Sequence, residues 1–95
     1  MKINFDEINH AALALYPALL ESWLPGGRTQ GSEFVAGDLS GAPGRSLSVN
    51  IDSGVWRDFA GDVGGSDPIS LYAAIRVISQ ADAARASSDD WSGRR

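Results

Sequence analysis

Arg45-Ser46-Leu47-Ser48-Val49-Asn50-Ile51-Asp52-Ser53-Gly54-Val55-Trp56-Arg57-Asp58-Phe59 is the stretch that decides the fold. Leu47, Val49 and Ile51 alternate with Ser46, Ser48 and Asn50, the period of two that a half-buried strand requires. Asp52-Ser53-Gly54 supplies turn residues. Val55 to Phe59 supplies a β-branched and aromatic partner run. The stretch predicts an antiparallel hairpin.

On the N-terminal side, Glu33-Phe34-Val35-Ala36 reads as a further short strand, joined to the hairpin by a Gly-rich loop over Gly37–Gly44. Before it, Ile8, Ala12, Leu15, Leu19 and Trp23 recur at helical spacing, with Asp6 or Asn9 as cap. Pro17 removes a backbone donor and is expected to bend or split this helix. Leu24-Pro25-Gly26-Gly27 ends it. On the C-terminal side, Gly61-Asp62-Val63-Gly64-Gly65 reads as a second loop. Asp67-Pro68, or Ser66 one residue earlier, opens a helix, because Asp and Ser cap well and Pro suits the first helical position. Ser79-Gln80-Ala81-Asp82 resembles a capping box for a short helix ending near Ala86. Residues 87–95 read as a polar, frayed tail, in which Trp91 either docks weakly or contacts a neighbouring domain. The prediction is one α+β domain over 1–95, with its core in about 6–86. A small antiparallel sheet is flanked by an N-terminal helix and one or two C-terminal helices.

Composition narrows the function classes. The chain of 95 residues is 43% hydrophobic and 21% charged, which suits a folded domain. It has no cysteine and a single histidine, His10, so disulfides and cysteine zinc sites are excluded. No apolar run approaches the roughly 20 residues needed to span a bilayer, and the acidic, polar N-terminus is unlike a signal peptide. These features predict a cytoplasmic protein that takes no cofactor. The formal net charge is −4. Affinity for nucleic acid comes mainly from phosphate contacts, so such binding needs a local basic patch or a larger parent protein.

The order helix, strand, hairpin, Gly-Gly loop, helix resembles the zinc-ribbon domain at the N-terminus of bacterial and phage DNA primases. That family carries a Cys-x-x-His pair, a Pro-Ser-Phe-x-Val-Asn-type strand, an aromatic-His-Cys-Phe-x-Cys knuckle and a Gly-Gly-Asp helix start. Ser46-Leu47-Ser48-Val49-Asn50 is similar to the first strand, Val55-Trp56-Arg57-Asp58-Phe59-Ala60-Gly61 to the knuckle, and Gly64-Gly65-Ser66-Asp67-Pro68 to the helix start with one residue inserted. Trp23-Leu24-Pro25-Gly26-Gly27-Arg28 with Phe34-Val35-Ala36 resembles the N-terminal modules of phage and mobile-element primase-helicases. The resemblance places the four ligand positions on Gly37, Ser40, Asp58 and Gly61, none of which makes a zinc site. It implies a metal-free ribbon in which packing replaces the metal. Leu15, Leu19 and Trp23 are expected to cover the sheet, each large side chain adding stability at about 25 cal/mol per Å² of apolar area.

The resemblance implies a non-catalytic module of a replication primase or primase-helicase that contacts single-stranded template. The candidate nucleic-acid residues are Arg28, Arg45 and Arg57 for phosphates, with Arg45 and Arg57 expected to share one edge of the sheet, and Trp56 as a stacking platform. Each has a plainer reading: solvated or ion-paired arginines, and a Trp that closes the core. Arg76 and Arg85 read as solvent-facing. Asp58, Asp62 and Asp67 invite magnesium, yet Asp beside Gly-rich turns serves capping more often. Gly64-Gly65 before a helix lacks the Lys-Ser/Thr of a nucleotide loop. No serine or histidine sits in a catalytic constellation, so no enzyme activity and no small-molecule substrate are expected. The partners implied are single-stranded DNA, bound weakly, or a primase or helicase catalytic domain. The rival reading is a protein-interaction adaptor, which an exposed apolar patch at Val63, Trp91 or Tyr72 would favour. A small acidic inhibitor mimicking nucleic acid comes last, because the carboxylates are interleaved with arginine.

Overall fold

The computed structural model describes residues 4–90. Five strands, β1 (Arg28–Gln30), β2 (Glu33–Ala36), β3 (Leu47–Asn50), β4 (Trp56–Asp58) and β5 (Val63–Gly65), form one antiparallel sheet in sequential order. Four helices, α1 (Phe5–Ala14), α2 (Ala18–Trp23), α3 (Pro68–Arg76) and α4 (Gln80–Asp90), complete an α+β fold. No helix among the described residues is long and apolar enough to cross a membrane.

The predicted hairpin is present, with Leu47 opposite Asp58, Ser48 opposite Arg57 and Val49 opposite Trp56. Its turn is held by the Asn50 side chain, whose Oδ1 accepts from the N–H groups of Asp52 (2.9 Å) and Ser53 (2.8 Å). Two strands were not predicted. β1 has no apolar alternation, and β5 falls in the stretch read as a loop. Both pair because β2 and β4 would otherwise leave backbone donors and acceptors unmatched.

Pro17 splits the N-terminal helix as expected, and the split moves the buried stripe. Asn4, not Asp6 or Asn9, caps α1, its Oδ1 accepting from Glu7 N–H at 3.0 Å. Helix α2 starts afresh after Pro17 and buries Leu20 and Leu24, while Leu15 is exposed. Leu20 and Leu24 therefore cover the sheet, rather than Leu15 and Leu19. Leu19 packs on a second cluster, and Trp23 is half-buried between the two.

Helix α3 is the central helix. Leu71 faces the sheet core of Leu20, Leu24, Phe34, Ala36, Leu47, Val49 and Trp56. Ile69, Tyr72 and Ala73 face α1 and α4 through Ala12, Ala83 and Ala84. Asp67 caps α3 as expected, with Pro68 as its first residue, and the cap is a reciprocal box with Ser70 that the sequence reading did not include. The Asn9 side chain, anticipated as a cap for the first helix, instead accepts from Ile69 N–H at 2.9 Å. Ser79 caps α4 by accepting from Asp82 N–H at 3.1 Å. Helix α4 then runs to Asp90, beyond the expected end at Ala86, because a nucleated helix extends at little cost per residue. Trp91 lies outside the described residues.

The α3–α4 corner holds Val77 in the left-handed region (φ 58°, ψ 50°) with 87% of its surface exposed. A residue with a Cβ costs roughly 1–2 kcal/mol there, and so little burial returns nothing. Val77→Gly is expected to raise stability by about 1 kcal/mol, or about 4–8 °C in Tm. An unchanged or lower melting temperature would refute this.

Candidate functional site

The helices cover one face of the sheet only. Alternation sends Phe34, Ala36, Leu47, Val49, Trp56 and Asp58 to the covered side. The opposite side carries Arg28, Val35, Ser48 and Arg57 in one row across four strands, with Val35 itself buried. A neighbouring row carries Gln30, Glu33 and Asn50. Val55 and Phe59 flank Arg57 along the chain and are 51% and 66% exposed. The Arg57 guanidinium lies 5.7 Å from the Phe59 ring centroid and pairs with Asp62 at 2.5 Å. Exposure of both partners keeps that ion pair weak.

An open depression of about 260 Å³ lies on this face, lined by Glu33, Ser48, Asn50, Ser53, Val55, Trp56, Arg57 and Phe59. The Glu33 carboxylate accepts from Ser48 Oγ and, at 3.3 Å, from Asn50 Nδ2. Among the described residues, no cation pairs with Glu33.

The sequence-derived candidates separate. Arg28 and Arg57 share the open face. With the Gln30 amide oxygen turned toward it, Arg28 donates from Nε and Nη2 at 2.9 Å each. Arg45 does not share a sheet edge with Arg57. It is exposed in the loop before β3, next to Ser46, whose carbonyl accepts from Phe59 N–H at 2.8 Å. Trp56 is 4% exposed, and its Nε1 donates to Ser70 Oγ at 2.9 Å. It closes the core and has no free ring face, so the plainer reading of Trp56 holds and the stacking platform does not. Phe59 is the exposed aromatic ring, a residue overlooked from sequence. Strand parity could have found it, since Trp56 and Asp58 pointing inward forces Val55, Arg57 and Phe59 outward.

The aspartates have structural work. Asp58 is buried opposite Leu47, its Oδ1 accepting from Gly61 N–H at 3.2 Å. Asp62 pairs with Arg57, and Asp67 caps α3. Among the described residues, no three His, Cys, Asp or Glu side chains gather as a metal site. The positions that the resemblance aligns with zinc ligands, Gly37, Ser40, Asp58 and Gly61, lie at two turns. Ala36, Leu47 and Asp58 form one row, so the 37–40 and 58–61 turns leave the sheet at the same end. The first is tied by Asp38, whose Oδ1 accepts from Ser40 Oγ (2.5 Å) and Ser40 N–H (2.9 Å). Those bonds, led by the Ser40 hydroxyl, hold the Asp38 carboxyl below the usual range. The fastening is complete at neutral pH and is lost as pH falls through that lowered value.

Of the surfaces named for an adaptor, Val63 is 43% exposed, whereas Tyr72 is buried. Arg76 lies over the Tyr72 ring at 5.3 Å and donates to its hydroxyl. Arg85 is exposed and pairs with Asp82 at 2.9 Å. His10 is exposed on α1. Comparison with protein-family models, with characterised proteins and with solved structures found no match to this chain.

Proposed function

We propose that this chain is a non-catalytic, cytoplasmic module that holds single-stranded nucleic acid on the uncovered face of its sheet. The observation that carries this reading is the exposed Phe59 ring beside the Arg57 guanidinium, on a sheet face that no helix covers. Aromatic rings on a sheet stack bases of any identity at about 1–3 kcal/mol per base. Arg28 and Arg57 lie in one row three strands apart, about 14 Å at the usual strand spacing, so a strand crossing the sheet passes both. Arg45 adds a third cation beside the Phe59 end.

The resemblance to primase ribbons supplies the biological setting for the proposal: presentation of template to a primase or primase-helicase catalytic domain. The two turns at one end of the sheet, where that family places its ligands, support it. The Asp38 and Asp58 side chains each brace their own turn from within.

Two arginines on two phosphates give a salt slope of about −1.4 for a single strand. Binding of a labelled thymidine oligonucleotide is therefore expected to be weak and to fall with salt. Phe59→Ala is expected to weaken it about tenfold or more, and Arg57→Ala to reduce the slope by about 0.7. Absence of binding at low salt, or affinity unaffected by both variants, would overturn the proposal in favour of a protein-docking role.

A further inference from the structure

We infer that the depression on the open sheet face selects guanine among single-stranded bases, with the Glu33 carboxylate reading the base edge. This inference rests on the nucleic-acid reading above and adds base identity to it. A carboxylate on such a face is at first sight misplaced, because it repels phosphate. Its surroundings give it another use. Glu33 is half-buried and accepts one bond from Ser48 and one long bond from Asn50, yet an ionised carboxylate can accept about four. Among the described residues, no arginine or lysine neutralises it. Its remaining acceptor positions are open to a ligand's donors, and of the four DNA bases guanine alone offers two adjacent N–H donors, N1–H and the N2 amine, on its pairing edge. That edge is free in a single strand.

The rest of the depression fits one base. Its volume of about 260 Å³ is slightly below that of ordinary ligand sites, which run from roughly 300 Å³. Glu33 lies on β2 and Arg57, flanked by Val55 and Phe59, on β4, with β3 between them. The charges set the orientation: the edge with donors points to Glu33, and the backbone runs past the arginines. Asn50 cannot take over the reading, since its Oδ1 is occupied by the turn N–H groups of Asp52 and Ser53.

The test uses the full chain and fluorescence anisotropy at low salt. The probes are a thymidine oligonucleotide and the same strand with one central guanosine, inosine or cytidine. A bidentate pair predicts about tenfold tighter binding of the guanosine strand than of the all-thymidine strand. Inosine, which lacks the N2 amine, should fall between. Glu33→Gln should bind the all-thymidine strand and lose the preference, with circular dichroism confirming its fold. Equal affinity for all four strands, or a guanosine preference that Glu33→Gln retains, overturns the inference and leaves the nucleic-acid proposal standing. Binding to none of the strands overturns both. If Glu33→Gln fails to fold, equal affinity across the base series on the unaltered chain still overturns the inference.

Discussion

Trp56→Ala is expected to lower the unfolding free energy by about 3–5 kcal/mol, the usual cost of emptying a buried aromatic site. The ring is 4% exposed and packs among Phe34, Val49 and Leu71 where the sheet meets α3. Its indole N–H also links β4 to α3 through Ser70 Oγ. A domain of this size has a total stability of about 5–14 kcal/mol, so the variant loses a large share of it or fails to fold. Trp56→Phe keeps most of the volume and should fold, with oligonucleotide affinity close to that of the parent. Urea denaturation measures the first effect and anisotropy the second. A stable Trp56→Ala with impaired binding would mean the ring works at the surface after all.

Gly26→Ala is expected to cost about 2–4 kcal/mol, combining overpacking with the loss of a backbone hydrogen bond. A Cβ at Gly26 would collide with the Gly41 carbonyl oxygen and come within 2.7 Å of Pro43 N and 2.8 Å of the Ala42 carbonyl carbon. All three are backbone atoms and cannot rotate aside. Gly26 N–H also donates to that same Gly41 oxygen at 2.6 Å. The added methyl must push the 37–44 loop off the turn after α2. A shifted urea midpoint and faster proteolysis within that loop would record this. A midpoint matching the parent would show that the loop gives way more easily than its contacts imply.

Legibility in the sequence followed the strength of the local signal. The hairpin is readable because Leu47, Val49 and Ile51 alternate with Ser46, Ser48 and Asn50, and Asp52-Ser53-Gly54 supplies the turn to the next run. The start of α3 is readable because Asp67 and Pro68 each satisfy a separate capping demand. β1 and β5 are not, because Arg28-Thr29-Gln30 and Val63-Gly64-Gly65 carry no strand pattern of their own and take their conformation from their neighbours. The buried stripe was misassigned for one reason: Leu15, Leu19 and Trp23 were counted on one continuous helix, and Pro17 resets the phase. The same lesson applies to the candidate site. Trp56 drew attention by residue type, yet parity turns it inward and turns Phe59 outward. Glu33 became visible only when pairing with β3 set it beside Ser48 and Asn50.

The Asn9 side chain, hydrogen-bonded to the first turn of α3, joins positions 60 residues apart in the chain. The sheet itself is a meander whose partners are all successive strands, so it can zip up one hairpin at a time at little entropic cost. The amide clasp is the opposite kind of interaction, since it forms only once both ends of the domain have met. It makes the outermost helix a reporter of whole-domain completion, so that melting of α1 and melting of the sheet should register as one event.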